Sequence, residues 1–384
     1  GDSGGMNVYI RELVSSLAHK GAKCSVYVRR WKSALPDEEL IEPGVRLVHI
    51  DAGSPELKKN ELVDVIDEFS EGVERDLIFR SNVDVLHANY WLSGISGHAL
   101  KHRLGVPLVT TFHTLGKTKI TSGEFEPRDR IRKEQDIIDC SDIVIANSVA
   151  EANQLKDLYA APQERVVVVP LGVEHAFFAP GNQDAARSAI GLGRGPVVTY
   201  VGRLQPLKGV DLALEMFAEL QTENGVLLIV GGASGTGGDK EVSKLKQRIK
   251  ELDLEQQVRL IAPQPHHILS TYYRASDVVV VPSKAESFGL VALEAAACGT
   301  PVVAASVGGL QDLVLHGTTG YLVNERDPKL YAHYARQILE NPLHGAEIAM
   351  NAVEKAQQYS WEKTSDQILN LYTSVTSRAL VDCR

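Results

Sequence analysis

The stretch Val278-Val279-Val280-Val281-Pro282-Ser283-Lys284-Ala285-Glu286-Ser287-Phe288-Gly289-Leu290-Val291-Ala292-Leu293-Glu294-Ala295-Ala296-Ala297-Cys298-Gly299 decides the fold. Four successive valines read as a short strand buried on both faces, the kind found inside parallel sheets. Proline, serine and glycine then mark a loop, and Leu290–Ala297 reads as a closely packing helix stopped at Gly299. The stretch carries two carboxylates, Glu286 in the loop and Glu294 in the helix. Burying an isolated carboxylate on so apolar a helix is costly, so Glu294 is expected to face a partner or a cleft.

The same strand–loop–helix unit recurs in both directions from this stretch. Strand runs precede it at Val197–Val201, Val226–Val230 and Val258–Ile261 and follow it at Val302–Ala304, with helical patterns at Val210–Leu220, Val242–Leu252 and Ile268–Ala275. In the first half the runs are Cys24–Val28, Val45–Ile50, Val83–Leu86, Pro107–Thr111, Ile143–Ala146 and Val166–Val169, with helices such as Met6–His19 and Leu62–Phe79. Buried strands alternating with helices predict α/β architecture with parallel sheets covered on both faces. Turn formers crowd between Pro170 and Pro196, so two Rossmann-like domains joined by a hinge are expected: 1–172, then 173–360, with a last helix over 361–384. Further tail helices are expected at Lys329–Glu340, Gly345–Gln358 and Trp361–Thr376. Two such sheets facing one another make a cleft, the natural place for a ligand. The glycine loop Gly1-Asp2-Ser3-Gly4-Gly5 has no strand in front of it, so the first strand of the first sheet is expected to be missing.

A formal net charge of -9 over 384 residues argues against a general nucleic-acid binder, although it leaves room for a local basic pocket. The four cysteines, Cys24, Cys140, Cys298 and Cys383, form no close pair, so they are expected to be free thiols in a reducing compartment, with no zinc site. No apolar run reaches the length of a membrane helix and no signal peptide precedes the first motif, so a cytoplasmic location is expected.

The chemistry-bearing residues cluster where strands end. Val201-Gly202-Arg203-Leu204-Gln205-Pro206-Leu207-Lys208-Gly209 places two cations on a loop at the carboxyl end of a parallel strand, a position that suits a diphosphate. Ser287 and the amides that follow it can hold phosphate oxygens at a helix start, and Glu286 and Glu294 can accept bonds from sugar and ribose hydroxyls. Ser3-Gly4-Gly5-Met6-Asn7 opens another helix in the same style. Phe112-His113-Thr114 closes the strand Pro107–Thr111, and Lys117, Lys119, Arg128, Arg130, Arg132 and Lys133 follow; this basic cluster suggests an anionic acceptor, with Arg128, Arg132 and Lys133 read as a solvated helix face.

Together, Gly4-Gly5-Met6-Asn7-Val8-Tyr9, Tyr90-Trp91-Leu92-Ser93-Gly94, His113-Thr114-Leu115, the Gly202–Lys208 loop and the Glu286–Glu294 segment resemble the retaining GT-B glycosyltransferases with a Glu-x7-Glu motif. Within that family the chain looks like the D-inositol-3-phosphate glycosyltransferases of mycothiol biosynthesis, with sucrose-phosphate synthases more distant. The resemblance spans nearly the whole chain. It implies that Arg203 and Lys208 hold the donor diphosphate and that Glu294 holds the ribose. It further implies that Glu286 and the amides of Phe288, Gly289 and Leu290 grip the donor sugar and phosphate. Gly5 would approach the diphosphate through its backbone. Lys59, Tyr90, Thr114 and Arg130 would bind the acceptor phosphate, Asn7 the acceptor ring, and His113 would lie beside the donor sugar. Gln264 stands where an Arg is common in these enzymes, so base contacts there are expected to differ. Other departures are Val173-Glu174, His316-Gly317 and Arg130-Ile131.

The implied activity is transfer of a sugar, N-acetylglucosamine by this likeness, from a UDP-sugar to a phosphorylated polyol such as 1D-myo-inositol 3-phosphate. The alternatives are a UDP-glucose-dependent, sucrose-phosphate-synthase-like transferase, a transferase acting on another sugar or lipid, and an inactive GT-B binding protein. No cofactor and no metal are expected, since cations do the work and no Asp-x-Asp occurs. The expected partners are the nucleotide sugar (UDP-N-acetylglucosamine or UDP-glucose) and the phosphorylated acceptor, with no nucleic acid, and a homodimer is the candidate assembly.

Overall fold

The computed structural model describes residues 4–80, 83–233 and 238–383, and of these not the side chains of 59, 238 and 239. The chain forms two compact units: Leu171–Ser360 with residues up to Gly5, and Met6–Pro170 with Trp361–Arg384.

In the first unit six strands form one parallel sheet, in the order Val258–Ile261, Val226–Val230, Val197–Val201, Val278–Val281, Val302–Ala305 and Gly320–Val323. All four residues of Val278–Val281 are buried, each burial contributing on the order of 1.5–3 kcal/mol. Helix Val210–Leu220 packs against Pro328–Leu339, and Tyr331, Ala332, Ala335 and Ile338 close the core between helix and sheet. The turn-rich stretch after Pro170 is more ordered than its composition suggests. It contains the helix Gln183–Ala189, capped by the Asn182 side chain and fastened by Arg187 Nη2 to Asp277 Oδ2 at 2.7 Å. The sequence also hid Gly320–Val323, whose four residues carry no alternation or long apolar run.

Among the described residues the second unit has two sheets. Leu86–Asn89, Leu108–Thr111, Ile143–Ala146 and Val166–Val168 are parallel. Cys24–Arg29 and Val45–Ile50 pair in parallel, and Glu38–Glu42 adds antiparallel to the latter. The strand expected at Val83–Leu86 lies instead at Leu86–Asn89, because pairing with Leu108–Thr111 rather than apolarity fixes it. Helix Trp91–Leu104 has little apolar stripe. It packs closely because Gly94 and Gly97 stand where a Cβ would lie 2.8 Å from Ile137 and 2.7 Å from Leu108. Helix Trp361–Thr376 belongs to this unit through Thr364 Oγ1, which donates to Pro170 O (2.8 Å), and through Tyr372, whose hydroxyl meets His87 Nδ1 at 2.6 Å.

One expectation is overturned here. Cys140 and Cys383 are joined in a disulfide across 243 residues, their Cα atoms 5.1 Å apart, while Cys24 and Cys298 are free. Spacing along the chain says nothing about two cysteines brought together by folding. Among the described residues no helix is long and apolar enough to cross a membrane.

Candidate active site

The order of the six-stranded sheet reverses between Val197–Val201 and Val278–Val281, so the loops after these strands leave in opposite directions and border a crevice. Lys208 lies at the end of the first loop and Glu286 in the second. They meet as an ion pair, Nζ to Oε2 at 2.6 Å, and Ser283 Oγ donates to the same oxygen at 3.3 Å. The two loops are locked together: Lys284 N donates to Leu207 O at 2.8 Å, and Gly209, at φ +71°, approaches Pro282 so closely that a Cβ would stand 2.2 Å from its carbonyl oxygen. A third loop, after Val302–Ala305, holds the backbone of Glu286. Gly309 N donates to Glu286 O at 3.0 Å, and a Cβ on Gly308 would lie 1.8 Å from that oxygen.

Helix Leu290–Ala297 begins beside this pair. Its first amides have no carbonyl partner within the helix and lie at the positive end of its dipole. Phe288 is buried, Ser287 and Leu290 are half-buried, and Gly289 adopts φ +109° to let the chain enter the helix. One turn further, Glu294 is buried with both oxygens engaged: Oε1 meets His266 Nε2 at 2.6 Å and Oε2 accepts from Tyr273 OH at 2.7 Å. Burial, and then the Glu294 charge, push the Tyr273 hydroxyl well above its ordinary range, so it remains a donor. Arg203 is half-buried at the start of the first loop, and its carbonyl accepts from Tyr200 OH at 3.1 Å. Gln264 follows the edge strand and donates to Ala262 O at 2.9 Å.

Gly5 opens the helix Gly5–His19, which from Met6 onward belongs to the second unit, and Gly5 and Asn7 are both exposed. His113 sits at φ 60° two residues after the end of Leu108–Thr111, with Nε2 2.9 Å from Asn89 Oδ1 and the Tyr9 ring 4.8 Å away. Burial pulls its pKa down to about 3, so the imidazole is neutral. Tyr90 also has positive φ, at 78°, a strained conformation for a large side chain. Its ring lies 5.4 Å from the Arg130 guanidinium. Arg130 is buried and donates to Thr114 O at 3.0 Å, so these three residues converge. The side chain of Lys59 lies outside the described residues, as do Ser3 and the 234–237 part of the glycine loop after Val226–Val230.

The basic cluster after His113 is less basic than the sequence suggests. Arg130 pairs with Glu126 (2.9 Å) and Glu134 (2.9 Å), and Lys119 pairs with Glu124 (2.8 Å) and Glu126. Lys117 is spent on Leu158 O at 2.5 Å. Of the three residues expected on a solvated face, Arg128 and Arg132 are exposed and Lys133 is half-buried. The residues that sequence reasoning passed over are therefore supporting ones: His266 and Tyr273 behind Glu294, and Glu126 and Glu134 around Arg130. An i,i+4 search around Arg130 would have found both of its acids. No local signal marks His266 or Tyr273.

The profile for glycosyl transferases group 1 matches residues 182–359, and that for glycosyltransferase family 4 matches residues 3–177. A D-inositol 3-phosphate glycosyltransferase of Thermobispora bispora is 41% identical, with 98% of this chain and 91% of the relative covered. Among solved structures, a sucrose-phosphate synthase of Thermosynechococcus elongatus is 31% identical with a TM-score of 0.91, covering 97% of this chain and 94% of the other. The HepE protein of Anabaena, solved with UDP-glucose, has a TM-score of 0.80 over 97% of each chain; at 23% identity it shows the fold alone.

Proposed function

The chain belongs to the GT-B glycosyltransferase family that includes the D-inositol 3-phosphate glycosyltransferases, and from that membership we propose that it transfers N-acetylglucosamine from a UDP-sugar to a phosphorylated polyol of the 1D-myo-inositol 3-phosphate type, with retention at the anomeric carbon. The observation that carries the reading is the Lys208–Glu286 pair at the sheet's switch point, beside the start of helix Leu290–Ala297, whose first amides have no carbonyl partner within the helix. A diphosphate needs fixed positive charge and N–H donors, and a sugar needs acceptors for its hydroxyls; both kinds of group stand here.

In this proposal Arg203, Lys208 and the amides of Phe288, Gly289 and Leu290 bind the diphosphate, with Ser287 and the backbone of Gly5 assisting. Glu286 accepts from the donor sugar. Glu294, held by His266 and Tyr273, keeps one free lone pair on each oxygen for the ribose hydroxyls. Gln264 borders the base. Asn7, Lys59, Tyr90, Thr114 and Arg130 receive the acceptor. The acceptor oxygen bonds to the anomeric carbon as the carbon–phosphate oxygen bond breaks on the same face, and the acceptor proton passes to the departing phosphate oxygen. Charge growing on that oxygen is met by groups already in place, which is where such sites gain most of their rate. Neutral His113 takes no part as an acid; it offers a hydrogen-bonding ring. No metal ion enters the reaction, so added Mg2+ or Mn2+ should leave the rate unchanged.

The test is UDP release from UDP-N-acetylglucosamine and UDP-glucose, each with inositol 3-phosphate, fructose 6-phosphate or no acceptor. Release with N-acetylglucosamine and inositol phosphate supports the proposal. Release with UDP-glucose and fructose 6-phosphate favours the second reading, which draws on the 31% identity to a sucrose-phosphate synthase. Acceptor-independent release, or none with any pair, sinks both.

A further inference from the structure

Outside the candidate active site, one set of side chains converges in a way that glycosyl transfer does not use. His98 and His102 stand one turn apart on helix Trp91–Leu104, so both imidazoles project from one face. Cys140 ends helix Arg128–Cys140, and Cys383 comes from the last residues of the chain. His102 Nε2 lies 3.3 Å from Cys140 Sγ and 3.2 Å from Cys383 Sγ, and His98 Nε2 lies 4.0 Å from Cys383 Sγ. The four ligand atoms all fall within 4.8 Å of one another. A disulfide needs no imidazoles around it, so the Cys140–Cys383 bond leaves the placement of the two histidines unexplained.

We propose that the reduced form of this cluster is a structural site for a zinc-class divalent ion, with His98, His102, Cys140 and Cys383 as its four ligands. The donor set is two sulfurs and two imidazole nitrogens, which suits a borderline-soft ion in tetrahedral geometry. Bond lengths typical of zinc put sulfur–nitrogen edges at about 3.5 Å, and the three observed separations bracket that value. Two thiolates and two neutral imidazoles balance the charge of a divalent ion. Opening the disulfide takes two electrons from a phosphine, while one water supplies the two thiol protons and the oxygen with which the phosphine leaves as its oxide. The two thiols then release their protons as the metal binds. Bound metal and disulfide thus exclude one another.

The surroundings are built to hold such a knot. Lys101, between the two histidines in sequence, is buried and donates to Cys140 O at 2.7 Å while pairing with Asp142 at 2.9 Å. Asp142 Oδ1 in turn accepts from Val381 N at 2.7 Å, which brings the chain's last residues to the site. Either linkage therefore ties residues far apart in the sequence into one unit, and metal binding makes the tie dependent on metal and redox state.

The test uses the full chain reduced with a phosphine and desalted without oxygen, with its thiols counted before titration with Co2+. The expected result is about one Co2+ per chain, with the strong visible bands of tetrahedral cobalt and a thiolate charge-transfer band, both abolished by Zn2+. Cys383→Ser and His102→Ala, two positions outside the core, should lose the charge-transfer intensity or the tetrahedral bands while keeping the parent's circular dichroism. Chelator should lower the melting temperature of the reduced parent and leave that of Cys383→Ser unmoved. Reduced parent with its thiols free and no tetrahedral spectrum overturns the site, as does an unchanged cobalt spectrum in Cys383→Ser. Because neither readout involves transfer activity, the result stands apart from the proposed reaction.

Discussion

At the scale of single residues, the site rests on charges that already have partners. Lys208 is paired with Glu286 before any ligand arrives, so its ammonium is fixed in position rather than left to be ordered during the reaction. Lys208→Ala should lower kcat by about 10²–10³-fold, the usual cost of removing one preorganised donor, with a smaller change in KM. In a double-mutant cycle with Glu286→Ala the two losses should fall well short of adding, because each single change already breaks the shared pair; strict additivity would mean that the contact plays no part in transfer. Glu294→Gln should weaken UDP binding by about tenfold, or ~1.4 kcal/mol, as read by calorimetry. Tyr273→Phe should weaken it less, since His266 still holds one oxygen. Equal affinities across these variants would remove Glu294 from the nucleotide site.

At the scale of elements, the three loops after neighbouring strands form one device, and glycines make it close enough. Gly308 has φ +51° and faces the Glu286 carbonyl, whereas Gly317 has φ +75° with nothing near its Cβ position. Alanine at Gly317 therefore carries the backbone strain alone, about 1 kcal/mol. Alanine at Gly308 adds the clash, so it should cost about 2–4 kcal/mol and most of the activity by displacing Glu286. Denaturant unfolding of the two variants measures the difference, and equal losses would show that the loop yields freely. Elements built on buried β-branched runs were legible in the sequence, as Val197–Val201 and Val278–Val281 show, because burial on both faces leaves a contiguous apolar signal. Elements set by pairing or by capping were not: Leu86–Asn89 depends on a neighbouring strand, and Gln183–Ala189 on the Asn182 cap and an Asp277 nearly a hundred residues away.

At the scale of the whole molecule, stability carries a pH signature from the second unit. Glu151 is buried there; Asn147 N donates to its Oε2 at 2.6 Å and Oε1 has no hydrogen-bond partner. Burial raises its pKa from 4.5 to about 7. The native state therefore holds the proton more tightly than the unfolded chain. The stabilisation is complete below pH 4.5 and is lost as pH rises to about 7, by an amount on the order of 3 kcal/mol. Glu151→Gln should flatten that slope in urea unfolding measured from pH 5 to 8, and a slope unchanged in the variant would assign it to another group. The sequence by itself determined the α/β class, the strand-end positions of Arg203, Lys208, Glu286 and His113, and the family, because strand burial, glycine loops and motif spacing are all local along the chain. Only the tertiary structure decided which side chain meets which: Lys208 with Glu286, Glu294 with His266 and Tyr273, and Cys140 with Cys383. Those choices depend on distance and burial in space, and residues that pair across tens or hundreds of positions leave no mark in the spacing between them.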